Sequence, residues 1–330
     1  MKIKKLKKGD IIGIFSPSSP ATNTCPKRFN RAKEYLKSKG FEILEGSLTG
    51  KNDYYRSGSI KQRAEELNEL IRNKDVRCIM STIGGWNSNS ILPYIDYEAF
   101  KKDPKIIIGY SDVTAILLAI YKKTGIKTFY GPALVASFGE LEPLVNQTFE
   151  YFEDLIIKDI KYPYEFKMPE FWTDEFIDWE NQDRAKKLRK NDWICVTKGC
   201  VKGRLIGGNL NTMQGFFASE YMPEIKKGDI LFIEDCLSNS AVIERSFSML
   251  KVSGVLDRIG GIILGKHELF DDLKTNKKPY EILLEVLNGR EIPFIAEFDC
   301  AHTHPMLSVP IGCEVELDAT NKTIKILGEF

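Results

Sequence analysis

The chain of 330 residues is long enough for two domains, and its 43% hydrophobic and 28% charged content is that of a globular protein. Its 47 basic and 46 acidic residues nearly cancel, which leaves no electrostatic case for a nucleic-acid polymer or a membrane surface as partner. No apolar run is long enough to span a bilayer, and seven cysteines without a C-x-x-C pair fit reduced thiols in a cytoplasm better than disulfides or a zinc site.

The lysine-rich start gives way to Gly9-Asp10, and residues 11–15 are too few for the apolar core of a secretory signal. Residues 10–15 read instead as a buried strand ending in the loop 16–20. A helix with Phe29, Ala32, Tyr35 and Leu36 on one face follows and closes at Lys39-Gly40. Residues 41–44 form a short strand, 59–72 a periodic helix, and 76–80 a strand that runs into Gly84-Gly85-Trp86. Strand 106–109, helix 113–123 and strand 127–130 come next. Strands alternating with helices of this length predict a parallel sheet covered on both faces, with ligands at the carboxyl ends of its strands. The loops at Ser16, Gly84-Gly85 and Ser111 all lie at those ends.

After a helix over 143–157 the pattern breaks. Residues 158–191 are polar and aromatic, with Phe171, Trp172 and Trp179 and no clear period. They read as a linker with a functional loop, or equally as a surface excursion whose tryptophans pack on a neighbouring helix. The second half resumes with strands at 203–206, 229–233, 259–264, 294–296, 313–317 and 323–327. A turn at 207–209 and helices at 210–218, 238–252 and 278–287 separate them. There is no internal repeat and no low-complexity segment.

Three segments carry candidate chemistry. Ile106 to Ala115 is a strand, a tight turn and a helix start with Ser111 at the apex, a placement that exposes a nucleophile beside free backbone N–H groups. A Ser-Asp pair there also suits simple helix capping, and Val113 stands where the second glycine of a G-x-S-x-G elbow would be. Gly84-Gly85 is first of all a turn, but glycine also permits close backbone approach, with the Gly85 N–H offered to a developing oxyanion. No Walker lysine follows, and no G-x-G-x-x-G is suitably placed, so no phosphate cradle of the usual kinds is expected. Glu234 and Asp235 end a hydrophobic strand, where Asp235 suits capping and Glu234 suits holding an imidazole. His302 and His304 form an H-x-H pair that could be half of a metal site, but no third or fourth ligand is evident and a structural or surface role is the commoner fate of such a pair. His267 reads as structural. Ser, Glu and His on separate segments supply a nucleophile, an orienter and a base, although spacing does not show that they meet.

The motifs Phe15-Ser-Pro-Ser18, Ile83-Gly-Gly-Trp86, Gly109-Tyr-Ser-Asp112, Gly207-Gly-Asn-Leu210, Phe232-Ile-Glu-Asp235 with Ile243-Glu-Arg-Ser246, Ala301-His302-Thr303 and Leu307 to Gly312 occur in this order over nearly the whole chain. In them the chain resembles the serine peptidase family that holds the L,D-carboxypeptidases of murein recycling and the microcin C self-immunity protein. Ala301 replaces the family's usual glycine. Residues 171–182 are similar to the immunity branch, while Ser238 stands where its nearest members carry a lysine.

The resemblance implies an α/β fold. Residues 1–160 would form a three-layer domain with a parallel sheet that carries the nucleophile. Residues 161–198 would be a linker and aromatic substrate loop, and 199–330 a β-rich α/β domain carrying Glu and His, with the active site between the domains. It further implies a Ser-His-Glu hydrolase of Ser111, His302 and Glu234 that needs no cofactor and no metal. The N–H groups of Gly85 and Asp112 would receive the oxyanion, and Gly84, Trp86, Asn209, Trp172 and Trp179 would bind substrate. The expected activity is amide cleavage in small peptidyl- or aminoacyl-nucleotide compounds, with removal of a terminal D-alanine from murein tetrapeptide as the alternative. A third option, a silent binding protein of the same fold, is disfavoured because Ser, Glu and His are all present. A cytoplasmic homodimer is implied as well.

Overall fold

The computed structural model describes residues 3–300 and 302–330, so Ala301 lies outside the described residues. In chain order its strands are β1 (Ile11–Phe15), β2 (Glu42–Glu45), β3 (Val76–Ser81), β4 (Ile106–Gly109), β5 (Thr128–Tyr130), β6 (Tyr164–Glu165), β7 (Phe171–Trp172) and β8 (Arg189–Lys190). They continue as β9 (Ile194–Thr197), β10 (Cys200–Asn209), β11 (Ile230–Glu234), β12 (Gly261–Gly265), β13 (Phe294–Phe298), β14 (Val309–Ile311), β15 (Glu314–Asp318) and β16 (Thr323–Ile326). The first sheet has the order β14-β5-β4-β3-β1-β2 and the second β6-β16-β15-β10-β11-β12-β13-β9, with β7 and β8 a separate ribbon. In the first sheet β1 to β5 run parallel. That is why β4 is buried along its whole length and reads as a continuous apolar run. In the second sheet only β10 to β13 are parallel to one another.

Helices cover the sheets where the periodicity placed them. Ile60–Arg72 starts on a capping box in which Ser59 and Gln62 each bond the other's backbone N–H. Thr114–Thr124 ends on Gly125 in the left-handed region. The mixed α/β architecture expected from the sequence is the one found.

Three local expectations differ. The Gly207-Gly208-Asn209 segment is not a turn but the end of β10, paired in register with β11 so that Asn209 lies opposite Glu234. Its glycine serves close approach: a Cβ on Gly207 would stand 1.8 Å from the Phe232 carbonyl oxygen. The helix expected over 210–218 is only Leu210–Gln214. Finally, β14 leaves the second half of the chain to join the first sheet, antiparallel to β5 with Val309 opposite Tyr130. Three residues around Pro310 give no periodic signal, and proline is tolerated there because β14 is an edge strand.

The aromatic stretch is seated by buried polar groups. Glu140, with no exposed side-chain surface, lies 3.1 Å from Arg28 and 3.4 Å from Lys186, and it also accepts from the Gln182 amide. Arg28 donates at 2.6 Å to Gln182, and to the Val135 and Ala136 carbonyls at 2.9 and 2.8 Å. Burial would raise the Glu140 carboxyl, but its neighbours His304, Arg28 and Lys186 hold it below the usual carboxylate range. Further along, Asp299 accepts from Asn191 at 2.8 Å and from the Trp193 indole at 2.7 Å, and it pairs with Lys266 at 2.7 Å. Backbone bonds of 2.9 and 3.0 Å join Thr173 to His304.

Because removing one partner strands a buried charge, Arg28→Met should cost about 3–5 kcal/mol of unfolding free energy. Urea denaturation checks this, and a loss below about 1 kcal/mol would mean that the Glu140 cluster does not hold the loop.

Candidate active site

β4 delivers the backbone to Ser111, which has φ 61°, a left-handed conformation that a non-glycine residue adopts at a cost of order 1–3 kcal/mol. The Ser111 N–H is held at 3.0 Å by the Tyr130 hydroxyl at the end of β5. Asp112, expected as a possible cap, instead accepts from the next loop: Asn87 N at 3.0 Å, Ser88 N at 2.9 Å and Ser88 Oγ at 2.7 Å. The Ser18 hydroxyl accepts from Trp86 N at 3.0 Å and Asn87 N at 3.2 Å. Together these bonds press the glycine loop against the serine turn. A Cβ on Gly84 would lie 3.0 Å from the Asp112 nitrogen and 3.2 Å from the Ser111 Oγ. Gly85 has φ 146°, and a Cβ there would meet Ser18 Oγ at 2.3 Å, so both the conformation and the space require glycine. Among the described residues no hydrogen bond engages the N–H of Gly85 or of Asp112.

Glu234 ends β11 and is fully buried. Its Oε1 accepts from the Tyr130 hydroxyl and, at 2.9 Å, from the Asn209 amide, while its Oε2 is 2.8 Å from His302 Nδ1. Asn209 is 3% exposed and engaged at both ends, since its Oδ1 caps helix Leu210–Gln214 through Thr212 N at 2.9 Å. Nothing of its amide is left over for a substrate. The Asn209 backbone N–H donates at 3.0 Å to Thr114 Oγ1, which ties the second sheet to the helix behind the serine turn. Asp235 caps no helix: its Oδ1 accepts from Cys236 N at 2.9 Å, and Asn239 caps Ser240–Val252. Burial and the adjacent Glu234 push the Asp235 carboxyl up to about 6.

The His302 ring meets the face of Tyr110 edge-on at 4.9 Å, with the side chain 11% exposed. Burial disfavours its imidazolium form, but the Glu234 carboxylate and the neighbouring Cys236 outweigh burial and raise its pKa well above 6.5. Glu234 responds in kind. Burial would raise it, yet His302 and the Tyr130 and Asn209 donors bring it below its ordinary value. The two histidines of the H-x-H pair therefore face different carboxylates, since His304 Nε2 is 3.9 Å from Glu140. Burial and Lys186 keep His304 well below 6.5. His267, whose Nδ1 is 3.1 Å from the Gly265 carbonyl, is pushed down to about 4 by burial.

The tryptophans differ from one another. Trp86 is 80% exposed beside the glycine loop. Trp172 lies in the β7–β8 ribbon with the Arg189 guanidinium 5.5 Å and the Lys266 ammonium 5.2 Å from its ring centre. Trp179 is half-buried on the Arg28 guanidinium at 4.7 Å. Sequence reasoning missed Tyr130, Thr114 and Ser18. The usable signal for Tyr130 was a hydroxyl at the carboxyl end of the strand next to the one that bears the serine.

Residues 12–131 match the profile of the LD-carboxypeptidase N-terminal domain, and residues 202–317 that of the LD-carboxypeptidase C-terminal domain. A Vibrio cholerae protein provisionally named a carboxypeptidase is 60% identical over 98% of this chain and 96% of its own. The microcin C7 self-immunity protein MccF of Escherichia coli is 55% identical over 98% of this chain and 94% of its own. The solved structure of ligand-free MccF superposes with a TM-score of 0.97 at 53% identity, covering 100% of this chain and 99% of that one. MccF has also been solved in complex with aspartyl sulfamoyl adenosine and with glutamyl sulfamoyl guanosine. With both halves matched and more than half of its residues shared with MccF, the chain belongs to the LD-carboxypeptidase family of serine peptidases.

Proposed function

We propose that the chain is a Ser-His-Glu hydrolase that cleaves the amide bond of aminoacyl- or peptidyl-nucleotide conjugates. The observation that carries this reading is its likeness over the full length to MccF, solved with aminoacyl sulfamoyl nucleosides. In the proposed mechanism the Nδ1–H of neutral His302 is held by Glu234, which leaves the Nε2 lone pair to take the proton of Ser111 Oγ. The alkoxide attacks the carbonyl carbon, and the oxyanion is received by the Gly85 and Asp112 N–H groups, each contributing about 3 kcal/mol. The imidazolium protonates the leaving nitrogen as the C–N bond breaks. A water, deprotonated by His302, then releases the acyl group from Ser111. No metal and no cofactor enters any step.

Gly84 and Trp86 border the acyl site in this reading, and Asn209 acts through Glu234 rather than on substrate. Trp179, backed by Arg28, presents an aromatic plate for the base. A tryptophan-to-phenylalanine variant of MccF has been solved with adenosine monophosphate, which favours a tryptophan near the nucleotide. A cytoplasmic homodimer completes the proposal, in keeping with cysteines that are all unpaired among the described residues. The second reading, removal of D-alanine from murein tetrapeptide, draws on the family's own description and on Ser238. An active-site variant of MccF replaces a serine, an asparagine and a lysine, and the resemblance puts Ser238 of this chain at the position of a lysine in the immunity branch.

Ser111→Ala should abolish hydrolysis of aspartyl sulfamoyl adenosine and leave the melting temperature nearly unchanged. Wild-type turnover of murein tetrapeptide but not of the adenosine conjugate would select the second reading.

Trp179→Ala should lower kcat/KM on the adenosine conjugate roughly 5- to 150-fold, the equivalent of about 1–3 kcal/mol of base stacking, and change tetrapeptide cleavage far less. Trp172→Ala, which removes a ring held by two cations, should lower stability and affect both substrates alike. Equal losses on both substrates for Trp179→Ala, with a lower melting temperature, would return that ring to structure.

Histidine NMR gives a third check. Of the three rings only His302 should titrate above 6.5, with His267 near about 4. Glu234→Gln removes the largest cause that favours the imidazolium and leaves burial opposed only by Cys236, so the His302 value should drop. In the wild type, kcat/KM should rise with pH as His302 loses its proton. A His302 ring that titrates alike with and without Glu234 would remove Glu234 from the triad.

A further inference from the structure

Among the described residues Tyr130 is the one side chain that bonds both the serine turn and the carboxylate behind the histidine. Its hydroxyl has a single proton, and the direction of both bonds is set by chemistry. The Ser111 N–H can only donate, so the oxygen accepts it at 3.0 Å. The Glu234 carboxylate can only accept, so the hydroxyl proton points to Oε1. The path is therefore continuous: Ser111 N–H to Tyr130 Oη–H to Glu234 Oε1, and from Glu234 Oε2 to His302 Nδ1 at 2.8 Å. It also crosses between the sheets, because Tyr130 ends β5 in the first and Glu234 ends β11 in the second. The Tyr130 ring is fixed independently by edge contacts with Phe232 at 5.2 Å and Tyr110 at 6.4 Å.

We infer that Tyr130 is a positioning residue of the hydrolase, which anchors the left-handed serine turn and tempers Glu234 so that His302 can act as a base. The inference rests on the serine-hydrolase reading above. The first half follows from Ser111, whose φ of 61° persists only while its surroundings over-determine it. Its N–H has the Tyr130 oxygen as acceptor, and losing that acceptor would leave the turn free to relax. The second half follows from the donors on Glu234. Each hydrogen bond to a carboxylate draws off negative charge and weakens its hold on a neighbouring imidazolium. Two donors on Oε1, from Tyr130 and Asn209, leave His302 paired but still able to release its proton. The tyrosine keeps its own proton in this role, because burial first and the Glu234 charge second raise its pKa well above 10. The other groups facing His302 are Asp235, Cys236, Tyr110, Glu268 and His267; of these Cys236 bonds the ring itself, whereas the donors on Oε1 are Tyr130 and Asn209. His304, two residues on, faces Glu140 instead, and burial with Lys186 lowers its pKa.

Tyr130→Phe keeps the ring contacts and deletes only the hydroxyl, so far-ultraviolet circular dichroism should match the wild type. On aspartyl sulfamoyl adenosine kcat should fall about 10- to 100-fold while KM stays within about twofold, because Tyr130 is buried behind the turn. The His302 NMR titration should move to higher pH, the opposite of Glu234→Gln, since an untempered carboxylate holds the imidazolium more tightly. That readout needs no substrate. An unchanged His302 titration, or a melting-temperature loss with kcat intact, would overturn the inference. Ser111→Ala run in parallel separates the two ideas. Full activity in Ser111→Ala sinks the serine mechanism, whereas an inactive Ser111→Ala beside a fully active Tyr130→Phe sinks the bridge alone.

Discussion

A fully buried carboxylate is costly unless its charge is met by donors, and Glu234 is met by three of them: Tyr130, Asn209 and His302. Each comes from a different part of the chain, so satisfying one side chain fixes the relation of several elements. Asn209 reaches Glu234 because β10 and β11 run in register, and that register exists because Gly207 lets the backbones approach. Tyr130 reaches it from the first sheet. His302 reaches it from the segment that runs on through the Thr173–His304 backbone pair to β14. There Val309 lies opposite Tyr130 itself, so the loop bearing the histidine is pinned to the strand bearing the tyrosine. The geometry of the site and the docking of the two sheets are thus one constraint.

Glu140 repeats the same physics at a distance from the serine. It is buried without exposed surface, and the cations Arg28 and Lys186 compensate it. What it orders is the irregular aromatic stretch, which has no periodic apolar face with which to anchor itself. The charged residues that made this stretch look like a loose linker are the groups that seat it. The neighbouring Lys266–Asp299 pair does the same for the Trp193 end, where the indole N–H also finds its acceptor. Buried ion pairs stabilise little beyond what their burial costs, but they tolerate few alternative arrangements. An aromatic plate held in this way is a defined surface.

The parts of the fold that were legible in the sequence are those where one local rule decides. β3 and β4 announce themselves as short apolar runs, and Ile60–Arg72 by its period and its capping box. The serine turn, the Glu at the end of β11 and the histidine pair were also readable, because each is a polar interruption at the edge of an apolar segment. The illegible parts are those where tertiary contact overrides local preference. Two glycines and an asparagine spell a turn, yet Gly207 is there for the Phe232 carbonyl. Val-Pro-Ile spells nothing, yet it closes the edge of a sheet. Tyr130 sits at the end of a three-residue buried strand that reads as core. Its hydroxyl has meaning only once Ser111 and Glu234 are known to flank it, and no spacing in the chain encodes that meeting.

Chemistry and selectivity are built from different material in this molecule. Of the groups proposed to carry the reaction, Glu234 is fully buried and met by three donors, so it tolerates little change, while Ser111 and His302 are half-buried. The groups proposed to choose the substrate are the exposed or half-exposed rings of Trp86 and Trp179 and the neutral hydroxyl of Ser238. Nothing in the pairing of Glu234 with His302 depends on them. On the proposed reading, a replacement among these three should shift substrate preference and leave the Glu234–His302 pair in place. Ser238 is the sharpest case. Its side chain is only 8% exposed and its hydroxyl donates to the Cys236 carbonyl at 3.1 Å, so it brings no charge to its surroundings. In the proposed reading, selectivity is therefore set apart from the buried carboxylate that joins the two sheets.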